Sequence, residues 1–425
     1  MTRASPTTNQ PGKSRILWPI GYVVVVALLF VYYHDIYDNL SDSAKSGIDA
    51  WLPVSSILQA FVWVIMALGL NVVVGYAGLL DLGYVAFWAL GGYTAGWLMT
   101  APWDFGHAWT FHLGSVVSQT HLPGIHITFW LVLIIAGIVC AIVGVIIGAP
   151  TLRLRGDYLA LVTLGFGEMI SQAAKNGTIG GFNVTNGDAG INPVDSIGTG
   201  IFGNIQGIPK ELLNTDAVTN SFKLLVLAAL VGLCLFVSLR IRGGRLGRAW
   251  LAIREDELAA SMMGVGLVKT KLSAYAVGAF FGGLGGVAFA SAVTSAVASS
   301  RFDFSISVTV LLMVVLGGMG NVWGVMVGAV LLSWINSTGL DQLGTQYDEW
   351  TGFNVGDQFS KNQYLLFGVI LIVMMLFRPG GLIPEKRTSK LMREPSRTEA
   401  ASLGADISET EVEDEVVATS GAGGS

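Results

Sequence analysis

The dominant constraint on this 425-residue chain is a series of apolar runs, each long enough to cross a bilayer and almost without charge. About 20 apolar residues span the hydrocarbon core as a helix, and in lipid only helices and closed barrels leave no backbone group unpaired. The runs lie near 16–33, 54–75, 77–100, 128–149, 157–176, 222–239, 272–297, 302–317, 322–339 and 362–377. They predict an all-α polytopic membrane protein of about ten transmembrane helices. Hydrophobic residues make up 52% of the chain and charged residues 12%, about half the charge of a soluble domain. The run at 16–33 is longer than a signal-peptide core and has no small-residue cleavage site after it, so it is expected to remain as the first span.

Orientation follows from Lys and Arg, which favour the cytoplasmic side. With the N-terminus inside, 18 of the 24 basic residues are cytoplasmic: Arg3, Lys13, Arg15, Arg153, Arg155, a cluster at 240–271, and those from Arg378 onward. Both termini are therefore expected in the cytoplasm. The domain plan is a short N-terminal segment at 1–15, a membrane domain at 16–384 and a tail at 385–425. That tail is acidic, carrying Glu399, Asp406, Glu409, Glu411, Glu413, Asp414 and Glu415 without an apolar face, and is expected to be disordered.

Three places break the pattern. Residues 243–266 form a charged stretch between two apolar runs. Arg240, Arg242, Arg245 and Arg248 lead into it, Glu255, Asp256 and Glu257 are expected to start a helix, and Gly264 and Gly266 to end it. The other two are glycine-rich, GYAGLLDLGY at 75–84 and LGGMGNVWG at 316–324. Their matching position and direction hint at a parallel internal repeat. The stretch 306–316 is short for a full span, so 302–338 reads either as two helices or as a re-entrant hairpin. The helix count is accordingly eight to ten.

Ionisable and amide side chains within apolar runs are functional candidates. Glu168, Gln172 and Lys175 share one helical face, which lines either a path for a zwitterion or a helix–helix network. Asp81 lies in the first glycine-rich break with Asn71 just before it; a gate and a helix cap both suit Asp81. Four of the five histidines, His107, His112, His121 and His126, fall within twenty residues, with His34 upstream. Their spacing matches no compact zinc pair, and no metal or cofactor is expected. Cys140 and Cys234 sit in apolar runs, which argues against a disulfide. No GxxxxGK[ST] loop occurs and no catalytic constellation stands out, so neither ATP binding by that route nor an enzyme is expected.

Five stretches resemble the LivM-type permease subunits of the branched-chain amino acid ABC importer family. They are GLNVVVGYAGLLDLGYVAFWALGGYTAG (69–96), TLRLRGDYLALVTLGFGEMI (151–170), GRAWLAIREDELAASMMGV (247–265), KLSAYAVGAFFGGLGGVAFA (271–290) and LGGMGNVWGVMVGA (316–329), closed by FRPGGLIP (377–384). The resemblance implies that 247–266 is the coupling segment, with Arg254, Glu255, Asp256, Glu257, Ala259, Ala260 and Gly264 meeting an ATPase. It also implies two ABC ATPase subunits, a second permease of LivH type, an extracytoplasmic substrate-binding protein and no nucleic acid. The cargo it implies is a branched-chain or related hydrophobic amino acid, carried across a bacterial cytoplasmic membrane. Glu168, Gln172, Asp81 and Asn71 are the candidate path residues. The segment at 183–191 departs from the family pattern. A urea or short-amide permease shares the architecture, and a secondary transporter coupled through Glu168 is the alternative from another class.

Overall fold

The computed structural model describes residues 13–32, 41–100, 110–113, 124–151, 157–179, 182–197, 216–351, 361–378 and 380–384. The expected acidic tail, the N-terminal segment to residue 12 and His34, His107 and His121 lie outside them. Helices dominate: α1 Lys13–Val31, α2 Asp42–Trp51, α3 Val54–Leu70, α4 Val85–Leu98, α5 Phe129–Thr151, α6 Asp157–Asn176 and α7 Asp216–Gly243. They are followed by α8 Arg245–Glu255, α9 Glu257–Met262, α10 Leu267–Ala288, α11 Phe304–Gly317, α12 Val322–Trp334, α13 Leu340–Thr351 and α14 Gln363–Phe377. By length and composition, six described helical segments are able to cross a membrane, and shorter apolar helices run at Gly21–Val31 and Gln363–Phe377. Residues such as Ile142, Ile146, Phe236, Leu365 and Ile372 point outward and exposed, the pattern of a multi-pass protein whose rim meets lipid rather than water.

The centre of the bundle is α10, which packs against α5, α4 and α3. Its sequence explains why. Lipid offers no hydrophobic drive between helices, so contact depends on close backbone approach, which small residues permit. A Cβ at Gly286 would lie 2.3 Å from the Trp88 carbonyl oxygen and 2.6 Å from the Gly92 nitrogen, both backbone atoms of α4. Around this contact Trp88 packs against Phe289, Phe302 and Trp63, with ring centroids 4.9, 5.7 and 5.5 Å away. Further out, α12 packs on α3 and α11, and α7 lies along α3.

π-helical turns follow α3, α10 and α12, at Asn71–Tyr76, Phe289–Thr294 and Ile335–Gly339. The structure differs from the expected elements at two points, in the run at 77–100 and in the charged segment. The run at 77–100 is helical only from Val85, because 77–84 is an irregular turn that returns the chain toward the bundle. The stretch 302–339 is a hairpin of two helices, α11 and α12, joined at 318–321. The charged segment is two helices rather than one, since Asp256 interrupts it with an extended backbone.

The end of the bundle away from α8 carries a small cap. The strand Gly124–Ile127 pairs antiparallel with Met99–Thr100 and parallel with Thr110–Leu113. Residues 182–197 lie beside it, with Ile191 bridged to Val297 and the Asp195 N–H donating to the Met99 carbonyl at 2.9 Å.

Substitution of Gly286 by Val is expected to destabilise the folded chain by about 1–3 kcal/mol or more through overpacking against α4. Gly165→Val, at a position with nothing within 4 Å of an added Cβ, serves as the control. Thermal midpoints of the two purified variants in one detergent check this.

Candidate functional site

The candidate site is built where α8 and α9 meet the two chain breaks. Gly244 starts α8 just after α7 ends with Arg240 and Arg242 in its last turn. Trp250 anchors α8: it is fully buried, and its indole N–H lies 3.0 Å from both the Thr270 carbonyl and the Ser273 hydroxyl of α10. Tyr76, at the end of the first π turn, stacks on Trp250 with centroids 6.5 Å apart and planes 10° from parallel. The Arg242 guanidinium sits 5.8 Å above the same Tyr76 ring, within cation–π range.

Arg254 reaches away from the loop surface and donates to the Gly75 carbonyl. Asp256 caps α9, its carboxylate accepting from the Leu258 and Ala259 N–H groups at 2.8 and 3.0 Å. This is ordinary N-capping, and it explains why the chain breaks at Asp256 rather than continuing α8. Glu257 accepts from Lys271 at 2.6 Å, with the lysine side chain 10% exposed and the glutamate 48%. Ala260 is buried, Ala259 exposed, and Gly264 turns the chain with φ +83. Three charges expected to face a partner, Arg254, Asp256 and Glu257, are thus engaged by this chain itself, and Glu255 is exposed at the end of α8. The expected acidic start shrinks to Asp256 and Glu257. The surface of α9 and the turn after it is instead apolar: Leu258 is 68% exposed, Met262 78% and Met263 86%. Residue spacing carried this signal, since Leu258 and Met262 are four apart on one helical face.

The two glycine-rich breaks touch. Asn71, fully buried, accepts from the Gly320 N–H at 2.9 Å. The second break is clamped by the closing segment, where the Leu382 and Ile383 N–H groups donate to Leu316 and Gly317 carbonyls at 2.8 and 3.2 Å. Asn321 caps α12 through the Trp323 N–H and donates its own amide to the Ile383 carbonyl at 3.0 Å. Asp81 is buried in the first break, where its carboxylate accepts from the Gly83 N–H at 2.9 Å and holds the turn before α4. Asn71 and Asp81 therefore lie inside the packed chain.

Glu168 and Gln172 have the opposite placement. Both are exposed on the open face of α6, beside Tyr158, Leu161 and Met169, and their side chains are 3.4 Å apart. Lys175 leaves that pair and bonds Asp303, at the start of α11, at 3.1 Å. The expected stripe of three is divided, with two groups facing out of the chain.

An apolar cavity of about 950 Å³ runs between α1, α3 and α12. Its hydroxyls are already used, Ser56 by Thr338 and Tyr22 by the Ala228 carbonyl, so nothing there suits a zwitterion. Among the described residues no group of His, Cys, Asp and Glu could hold a metal ion, and Cys140 and Cys234 are free and buried. His126 has a different use: its Nδ1 is 2.7 Å from a carboxylate oxygen of Asp195, both side chains at most 5% exposed. Sequence reading missed this pair, as it missed the Asn71–Gly320 and Tyr76–Trp250 contacts, because nothing in the chain order relates their partners.

A family described as "Branched-chain amino acid transport system / permease component" matches residues 52–375. The high-affinity branched-chain amino acid transport system permease protein LivM of Salmonella typhimurium is 36% identical over 343 residues, covering 77% of this chain and 69% of that protein. LivM of Escherichia coli is 36% identical over 340 residues, 77% of this chain and 68% of its own length. The probable LivM of Methanocaldococcus jannaschii is 27% identical over 347 residues, 78% of this chain and 94% of its own. No solved structure matches.

Removing one member of a buried hydrogen-bonded pair leaves the other unsatisfied, at a cost of about 1–3 kcal/mol. Asp195→Ala is accordingly expected to loosen the cap, read as faster amide exchange across 182–197 with protection of α10 unchanged.

Proposed function

Since the chain belongs to the family of permease components of branched-chain amino acid transport systems, we propose that its charged loop is the coupling segment of an ABC importer. In this reading about ten helices cross the cytoplasmic membrane of a bacterium, with both termini and the α8–α9 loop inside. Two separate ATPase subunits supply the energy, and a second permease subunit completes the membrane unit. An extracytoplasmic binding protein delivers a branched-chain or related hydrophobic amino acid, and the chain itself does no covalent chemistry.

The observation that carries this reading is the apolar knob of Leu258, Met262 and Met263, exposed on the charged loop. Three large apolar side chains held in water by a capped helix oppose the hydrophobic effect, at about 1.5–3 kcal/mol for each one fully exposed. A groove on a soluble partner would bury them. The charges behind the knob, Asp256 and Glu257, fix its geometry through this chain's own contacts, while Arg254 ties α8 to the first break. Docking is thus chiefly apolar, and methionine tolerates an imperfectly matched groove.

The open face of α6 supports the placement of a second membrane subunit. Lipid could not satisfy Glu168 and Gln172, so protein or water must cover them. A path between the two permeases would supply both, with an acid and an amide available to the ammonium and carboxylate ends of a zwitterion. Asn71 and Asp81, buried inside this chain, take structural parts in that scheme.

Met262→Asp is expected to abolish ATP-driven uptake while membrane insertion stays normal, and cysteines at 262 and 263 are expected to crosslink to the ATPase subunits. Normal uptake in Met262→Asp would sink the docking assignment. Glu168→Gln is expected to lower uptake severalfold with the assembled complex intact; loss of assembly with unimpaired turnover of the remainder would make Glu168 an interface residue instead.

A further inference from the structure

Resting on that coupling reading, we propose that Arg254 and Asn71 are positioning residues through which movement of α8 reaches both chain breaks together. Gly75 is the meeting point. Its carbonyl lies at the end of a π turn, where the amides that follow bond elsewhere: Ala77 N–H to Val72 at 3.3 Å and Leu79 N–H to Val73 at 3.1 Å. Arg254 supplies a donor to that carbonyl from the coupling loop, a cation placed at a helix C-terminus. One turn back on the same face, Asn71 accepts the N–H of Gly320 from the second break.

The two bonds share one narrow space. A Cβ at Gly75 would press against the Asn71 side-chain Oδ1 and sit 2.7 Å from the Gly320 backbone nitrogen. The loop beyond also lies hard against α8, since a Cβ at Gly78 would meet the Arg254 Cγ at 2.9 Å. The α8 end of the relay is held to α10 by Trp250, and its far end opens directly into α12 through the Asn321 cap. Stacked rings such as Tyr76 and Trp250 are able to slide past one another. A charge-assisted hydrogen bond has a preferred direction and carries displacement along it. The two breaks therefore move as one body with the loop, rather than each responding to packing alone.

The test separates ATP hydrolysis from uptake in the intact complex, reconstituted in proteoliposomes with its binding protein and supplied with leucine. Arg254→Gln and Asn71→Leu are each expected to lower leucine moved per ATP by about tenfold, in the usual range of coupling between sites. Assembly and hydrolysis are expected to persist. Arg254→Lys keeps a cation and a donor and is expected to restore part of the ratio. The double variant is expected to be no worse than either single one, because residues acting in one network are not additive. Additive losses, or an unchanged ratio in Arg254→Gln, would overturn the relay. Arg254 stands at the edge of the bundle, so its variants decide the matter even when Asn71→Leu does not insert. Crosslinks from position 262 to the ATPase, recorded in the same preparations, tell the two readings apart. Crosslinks with an unchanged ratio overturn the relay alone, whereas their absence sinks the coupling assignment and the relay with it.

Discussion

A helix that stops within or at the edge of a bilayer leaves backbone groups that hydrocarbon cannot pair, and this chain stops twice at the same end of the bundle. How those groups are satisfied organises the rest of that end. Arg254 takes the Gly75 carbonyl, Asn71 takes the Gly320 N–H, and the closing segment at 382–383 takes the carbonyls of Leu316 and Gly317. Each partner comes from a distant part of the sequence. The repair of broken helices is therefore also what joins the charged loop, both chain breaks and the segment after the last described helix.

The two ends of the bundle use different chemistry for this. At the loop end the joins are single hydrogen bonds to backbone carbonyls and amides of buried residues, with Arg254 half-buried and α9 exposed. At the opposite end a short sheet, the Ile191–Val297 bridge and the buried His126–Asp195 pair form a cap. Between them α10 packs backbone to backbone against α4, where no side chain is available to yield. On the proposed coupling reading, a force applied at the loop would meet a stiff centre and act chiefly on the breaks. This fits the bistable behaviour of packed elements better than gradual bending.

Much of this was legible in the order of residues. Apolar runs located most of the helices, because lipid imposes length and composition on each one separately. The glycine-rich stretches marked the breaks, and the charged stretch at 243–266 marked the loop. Residue-level roles were harder to read. Glu257 looks like a partner-facing acid until Lys271 is found 2.6 Å away, and Arg254 looks like a surface base until it is seen on Gly75. Leu258, Met262 and Met263 lie within the charged stretch, yet they form its exposed apolar face. The order of residues shows which groups are charged and not which already have a partner.

The sequence by itself determined that this is a helical membrane protein, where its helices run, where they break and to which transport family it belongs. These follow from local rules of length, hydrophobicity and motif that each segment obeys alone. Only the tertiary structure decided which polar groups are already paired within the chain and which face outward. That depends on contacts across 179 to 249 residues, as between Arg254 and Gly75 or Asn71 and Gly320, and chain order does not specify such distances.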